Sequence, residues 1–245
     1  MNCLVLAAGY ATRLYPLTEN FPKPLLKVGG KTILDWLLDD IRANAPADRY
    51  AVVSNHKFAG IFREWAAEDV EVVDDMTSTN ETRLGAVKDI QYAVETLGLE
   101  GDTLILAGDN LLDFSLGSFV EYARTKGTSC IMRYYEENSA KLHKSGVVEI
   151  DGNDRVLSME EKPSEPRSNW CCPPFYWYRA EDIARIPEAI ASGCGTDAPG
   201  AYAAWLSART AVHAMLMPGS RYDIGTLESY KKVCENGFRQ AGSSR

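Results

Sequence analysis

Asn2-Cys3-Leu4-Val5-Leu6-Ala7-Ala8, running into Gly9-Tyr10-Ala11-Thr12-Arg13-Leu14, is the stretch that decides the fold. Residues 2–8 form a short apolar run that stops at a glycine, the pattern of a strand buried on both faces. Residues 9–31 carry Gly, Pro, Thr and Lys without a clean period and read as a long loop. A loop of that length in a compact domain is usually functional. Beyond it, Ile33, Leu34, Leu37, Leu38 and Ile41 make a helical stripe over 32–43. Strands follow at 50–54, 70–73, 103–107 and 128–134, separated by helices at 58–67, 82–97 and 116–126. Strands alternating with helices predict an α/β fold: a Rossmann-like, mainly parallel mixed sheet with helices on both faces. Ligands of such sheets bind beyond the carboxyl ends of the strands. The loop after Ala8 and Asp109 after Ala107 both fall there.

The second half changes style. Residues 146–150 and 155–159 flank Asp151-Gly152, a hairpin signal. A strand at 175–178, helices at 181–191 and 198–208, a strand at 211–215 and a helix at 226–238 complete the pattern. No repeat or linker separates independent units. We expect one domain over 1–239, with halves at about 1–135 and 136–239, and a frayed tail at 240–245.

The chain has 245 residues, 45% hydrophobic and 24% charged, which fits a globular core and excludes disordered, collagenous and coiled-coil classes. Its net charge of −8 argues against a nucleic-acid or membrane partner. The charge is unevenly spread. Arg13, Lys23, Lys27 and Lys31 face only Glu19 within residues 1–31, a net +3; the rest carries 22 basic and 33 acidic groups, a net −11. No apolar run approaches the ~18 residues of a membrane span, and the start lacks a signal-peptide pattern. Cys3, Cys130, Cys171, Cys172, Cys194 and Cys234 show no C-x-x-C spacing, so reduced thiols in a cytoplasmic setting are expected. His56, His143 and His213 are too scattered for a zinc site.

Small residues after a buried strand let a backbone approach a ligand, and exposed N–H groups suit phosphate. Arg13 and Lys23 add fixed positive charge. Neither G-x-x-x-x-G-K-[ST] nor G-x-G-x-x-G is present. Asp109, in Gly108-Asp109-Asn110, fits either a Mg²⁺ carboxylate or a turn cap. Asp223, in Tyr222-Asp223-Ile224-Gly225-Thr226, lies where an N-cap for the last helix would also fit. Glu161-Lys162 reads either as a binding pair or as a solvated strand end.

The string Leu6-Ala7-Ala8-Gly9-Tyr10-Ala11-Thr12-Arg13-Leu14-Tyr15-Pro16-Leu17-Thr18, followed by Pro22-Lys23-Pro24-Leu25, resembles the opening signature of the sugar-phosphate nucleotidylyltransferases, of the glucose-1-phosphate thymidylyltransferase type. Ala11 replaces a glycine of that signature. The resemblance runs over about residues 1–235. It implies the nucleotide-diphospho-sugar transferase fold and a reaction of an NTP with a sugar 1-phosphate, giving NDP-sugar and pyrophosphate. By the same resemblance, Leu6 to Arg13, Lys23, Gly108 and Asp109 hold the nucleotide, and Asp109 and Asp223 hold Mg²⁺. Gly146, Glu161 and Lys162 take the sugar phosphate, with Tyr176 beside them; Ser145 stands where the family often has tyrosine. Arg13, Lys23, Asp109, Lys162 and Asp223 are the expected catalytic set. Residues 77–86 fall where the family reads the base but match its pattern poorly, leaving Asn80 and Gly85 as nucleotide contacts and the base unassigned. Thr196-Asp197 is expected to be structural. The length argues against an appended repeat domain, and a homo-oligomer is left open. Two rivals remain: a cytidylyltransferase for a small phosphorylated alcohol or amino compound, and a non-catalytic nucleotide-sugar-binding regulatory subunit.

Overall fold

The computed structural model describes residues 1–238; the tail expected at 240–245 lies outside the described residues. In chain order the elements are β1 (Asn2–Leu6), β2 (Lys27–Val28), β3 (Lys31–Thr32), α1 (Ile33–Asn44), β4 (Arg49–Ser54), α2 (His56–Trp65), β5 (Val70–Asp74), α3 (Ala86–Leu97), β6 (Thr103–Ala107), β7 (Asn110–Leu112) and α4 (Gly117–Lys126). They continue with β8 (Ser129–Tyr135), α5 (Ser139–Leu142), β9 (Gly146–Ile150), β10 (Val156–Glu161), β11 (Trp170–Cys172), β12 (Phe175–Tyr178), α6 (Ala180–Ile183), α7 (Ile186–Ala191), α8 (Gly200–Ser207), β13 (Val212–Leu216), β14 (Arg221–Asp223) and α9 (Leu227–Asn236).

Ten strands join one sheet in the order β10-β9-β11-β8-β12-β6-β1-β4-β5, with β13 paired to β8. β6, β1, β4 and β5 run parallel, and β12 inserts antiparallel between β6 and β8. This is the mixed, mainly parallel sheet that the alternation of elements predicts. Period-two alternation sends Cys3, Val5, Leu104 and Leu106 to one face, where they pack with Leu34, Leu37, Phe58, Phe62 and Phe119 of α1, α2 and α4. Leu4, Ile105, Tyr176 and Tyr178 point to the other face, against Val87 and Ile90 of α3 and Ile183, Tyr202 and Leu206. Each large apolar side chain so buried stabilises the fold by ~1.5–3 kcal/mol. A capping box starts α1: Asp35 N–H donates to Thr32 Oγ1 at 3.0 Å, and Thr32 N–H donates to Asp35 Oδ2 at 3.1 Å.

Four expectations need correction. The loop at 9–31 contains single 3-10 turns at Thr12–Leu14 and Lys23–Leu25 and the short hairpin β2–β3. The helix expected from 82 starts at Ala86, because Gly85 sits at φ 89°, outside helical space. The helix expected over 181–191 divides into α6 and α7. Pro187 has no N–H to donate to the preceding turn, and Arg185 departs from helical angles at φ −92°, ψ 0°. Finally, β7, β11, β14 and α5 went unforeseen, since three or four residues carry no readable period.

From β1 the chain moves outward to β4 and β5, then returns to place β6 on β1's other side. The strand order therefore reverses between β1 and β6, and a crevice opens past their carboxyl ends. No helix among the described residues is long and apolar enough to cross a membrane. All six cysteines are free, with Cys3, Cys130, Cys171 and Cys172 buried.

Candidate active site

The turn after β1 is anchored from several sides. Ala7 N–H donates to Val53 O at 2.9 Å. The buried Asn55 donates from Nδ2 to Ala8 O at 2.9 Å while its Oδ1 caps α2. Tyr10 Oη donates to Thr77 O at 3.0 Å, and Thr18 Oγ1 donates to Ala11 O at 2.8 Å. Ala11 occupies the left-handed region at φ 47°, a conformation that glycine adopts more cheaply. Gly9 is exposed, and a Cβ there would meet nothing within 4 Å. No contact among the described residues calls for glycine at Gly9, which leaves its backbone open to a ligand.

The neighbouring strand end supplies the acid. Gly108 N–H donates to Leu6 O at 2.9 Å, so β6 and β1 stay in register to their ends. A Cβ on Gly108 would lie 3.0 Å from Val5 Cγ1 and 3.2 Å from Leu6 O, so a larger residue there would press on β1. The half-buried Asp109 follows. Its Oδ2 accepts from Lys23 Nζ at 2.6 Å, and its Oδ1 accepts from Asn110 Nδ2 at 2.6 Å. Burial opposes ionisation of Asp109, but Lys23 outweighs it, with Arg221 adding to the effect, and the carboxyl is held below its ordinary value. Lys23 is itself buried, so the pair pins the Lys23–Leu25 turn to the sheet.

Asp223 comes to the same place through β14, which pairs antiparallel with β7 and sets Asp223 opposite Asn110. Ile224 N–H donates to Asp109 O at 3.3 Å. Asp223 does not cap the last helix: Thr226 does, accepting from Ser229 N–H at 3.1 Å. The Asp109 carboxylate caps no following turn either; its oxygens are taken by Lys23 and Asn110. Among the described residues no three His, Cys, Asp or Glu side chains gather as a ready-made metal cage. Two carboxylates with room for phosphate oxygens is nevertheless a donor set that suits Mg²⁺.

These residues open onto a cleft of about 760 Å³ whose lining includes Arg13, Asp109, Gly146, Glu161, Lys162, Tyr176 and Asp223. The structure thus gathers the expected catalytic set, with Lys23 joined through Asp109. The far wall is β9 and β10. Glu161 is half-buried between two glycines: a Cβ on Gly146 would stand 3.0 Å from its Oε2, and a Cβ on Gly200 would overlap that same oxygen. Burial, with Asp197 adding, raises the Glu161 carboxyl above its ordinary value against the pull of Lys162. Lys162 holds φ 51°, with its N–H donating to Ser145 O at 3.0 Å. A left-handed, non-glycine residue at a cleft edge is strain of the kind found at binding sites. Tyr176 is buried in the floor, its phenol pushed well above the usual range by burial.

Asn80 and Gly85 lie apart from this lining. Asn80 is exposed, and its carbonyl accepts from Arg83 Nη1 at 2.8 Å. Gly85 is buried, with Thr196 O 2.6 Å from where its Cβ would be. Ala86 and Val87 N–H donate to the carbonyls of Asp197 and Thr196, so Thr196-Asp197 caps α3. Sequence reasoning missed Asn55, Asn110, Gly200 and Arg221. The reversal of charge at Arg221, two residues before Asp223 in an acidic half, was the one signal available.

Comparison with known proteins bears on the family and the fold. The model of the nucleotidyl transferase family matches residues 2–237. The bifunctional protein GlmU of Methanococcus vannielii is 31% identical over 165 residues, 67% of this chain and 36% of that protein. Glucose-1-phosphate thymidylyltransferase of Mycobacterium tuberculosis is 27% identical over 94% of this chain and 79% of that protein. The chain spans 36% and 59% of the length of the first curated relatives it matches, the GlmU protein and a glucose-1-phosphate adenylyltransferase of Fervidobacterium nodosum. Among solved structures, a UDP-glucose pyrophosphorylase complexed with UDP-glucose superposes with a TM-score of 0.80 at 18% identity, covering 96% of this chain and 97% of that one. At that identity the likeness shows the fold.

Proposed function

Because the chain belongs to the nucleotidyl transferase family, we propose that it joins an NTP to a sugar 1-phosphate, releasing pyrophosphate and an NDP-sugar. The carrying observation is one cleft with a charged Asp109–Lys23 pair and Asp223 on one side, and Gly146, Glu161 and Lys162 on the other. The relatives named for glucose 1-phosphate support the acceptor class.

A phosphate is already ionised near neutral pH, so its oxygen can attack the α-phosphorus in line without a general base. The chain's work is then positioning and charge neutralisation. The backbone of residues 8–12 takes the nucleotide, with Gly9 leaving room for it. Arg13 and Lys23 hold the triphosphate, and Arg13 stabilises the departing pyrophosphate. Lys162 holds the nucleophilic phosphate, and Glu161 accepts from sugar hydroxyls across the gap kept by Gly146 and Gly200. Asp109 and Asp223 would hold Mg²⁺, which when bound neutralises phosphate charge. In this reading the two halves of residues 1–239 act as one unit.

The test is direct. The full chain with Mg²⁺ is incubated with each of five NTPs and a panel of sugar 1-phosphates, phosphocholine and phosphoethanolamine, and pyrophosphate is measured. Turnover with a sugar 1-phosphate is expected. Turnover with CTP and a phospho-alcohol alone would overturn the acceptor class. Tight nucleotide-sugar binding without any turnover would make the chain a regulatory subunit.

A further inference from the structure

Arg221 is a half-buried cation with no carboxylate oxygen within 4 Å among the described residues. Several other half-buried or buried cations are paired: Lys23 with Asp109, Arg49 with Glu71, and Arg133 with Asp154. Arg221 instead donates from Nη1 to the neutral Asn110 Oδ1 at 2.8 Å, and its guanidinium lies over the Tyr134 ring, 5.8 Å from the centroid. Arg221 acts on the Asp109 carboxylate through space but makes no direct ion pair, and a half-buried guanidinium gains when an anion comes into contact with it.

Its place tells which anion. Arg221 and Asp223 are two apart on β14, so their side chains share one face, and both line the cleft. Asn110, which Arg221 orients, passes its own N–H to Asp109. Tyr134, beneath the guanidinium, belongs to the acceptor wall: it pairs with Cys171, and the next residue, Cys172, pairs with Gly146. Arg221 therefore stands between the carboxylate pair and the acceptor wall, where two phosphates must meet for in-line transfer. Lys162 is exposed at the cleft edge, whereas Arg221 is held by Asn110 and the Tyr134 ring while lining the cleft. A planar, pre-positioned fork is suited to a tetrahedral phosphate in a way a lone ammonium is not.

We propose that Arg221 is a catalytic residue that binds the acceptor's phosphate opposite Lys162 and turns its attacking oxygen toward the α-phosphorus. The proposal rests on the nucleotidylyl-transfer reading. It assigns the acceptor a phosphate dianion held by two cations from opposite walls.

Initial rates and calorimetric titrations of the full chain test it, with glucose 1-phosphate and inorganic phosphate as probes. Arg221→Gln should raise the KM for acceptor roughly 10- to 100-fold, leaving the KM for NTP within about threefold. It should weaken binding of both probes in parallel. Arg221→Lys, which keeps the charge but not the fork, should fall between, and it serves as the readout if Arg221→Gln does not fold. A raised KM for NTP with unchanged affinity for glucose 1-phosphate would overturn the proposal, as would unchanged kinetics. If the unsubstituted chain turns over only phospho-alcohols, the sugar reading fails and the same comparison runs with phosphocholine. If it turns over nothing, the probe affinities alone decide, and equal affinities in chain and variant refute the role of Arg221.

Discussion

Asp75 and Asp109 occupy equivalent places, just past the carboxyl ends of the parallel strands β5 and β6, yet their surroundings act on their protons in opposite directions. Asp109 faces Lys23 at 2.6 Å and stays charged, its carboxyl below the ordinary value. Asp75 is buried and faces another carboxyl. Its Oδ1 accepts from Thr77 N–H at 2.7 Å and Thr77 Oγ1 at 2.8 Å. Among the described residues the buried Asp75 Oδ2 and Asp89 Oδ1 find no N–H or O–H donor, and a proton shared between the two carboxyls satisfies both. Burial, then the charge of Asp75, pushes Asp89 up to about 7. A carboxylate at a strand end is thus not by itself a metal ligand. A cation partner keeps it charged and facing the cleft, whereas a second acid turns it into a structural clasp between the β5 loop and α3.

The largest expected effect separates the two acids by activity. Asp109→Asn removes the charge that faces Lys23 and the proposed nucleotide site, and should lower pyrophosphate release by at least ~100-fold. Asp75→Asn, at a residue that does not line the cleft, should leave kcat within a few-fold. Near-normal turnover in Asp109→Asn would break the contrast and the metal assignment with it.

The second separates them by pH. The folded-state value of Asp89 is raised, so between about 4 and about 7 the folded chain holds a proton that the unfolded chain has lost. That contribution to stability is full below the unfolded value and fades as pH rises through about 7. Asp89→Asn removes the dependence. Urea melts at pH 8 should show the variant more stable than the unsubstituted chain, by on the order of 2–4 kcal/mol, with the gain shrinking or reversing at pH 5. Equal differences at both pH values would mean that the pair shares no proton.

The contrast also marks what could be read from sequence. The strand-loop string from Asn2 to Arg13 and the motifs at Asp109, Lys162 and Asp223 needed only local order to be seen, and the structure brings them to one cleft. Arg221 and Gly200 could not be weighed in the same way. Their meaning depends on what stands opposite: Asn110 and Tyr134 for Arg221, and Glu161 Oε2 for Gly200. Gly85 shows the reverse error. The sequence reads it as a nucleotide contact, and the backbone that closes on it is the chain's own Thr196. Asp75 and Asp89 lie far enough apart in sequence, and in different elements, that no spacing rule pairs them.

The smallest effect asks whether the structural clasp reaches the site at all. Tyr10, in the turn after β1, donates to Thr77 O, and Thr77 in turn donates twice to Asp75. Tyr10→Phe deletes only the hydroxyl. Thr77 O keeps a second donor, His56 N–H at 2.8 Å, so no carbonyl is orphaned, and the stability cost should sit near ~0.5–1 kcal/mol. Tyr10 lies between Gly9 and Ala11, where the nucleotide is expected to press on the backbone. The KM for NTP should therefore rise about two- to fivefold while the KM for acceptor stays put, as initial rates with each substrate varied would show. Movement of the acceptor KM instead would mean that the β1 turn answers to the far wall of the cleft, and the two strand ends would no longer be separable.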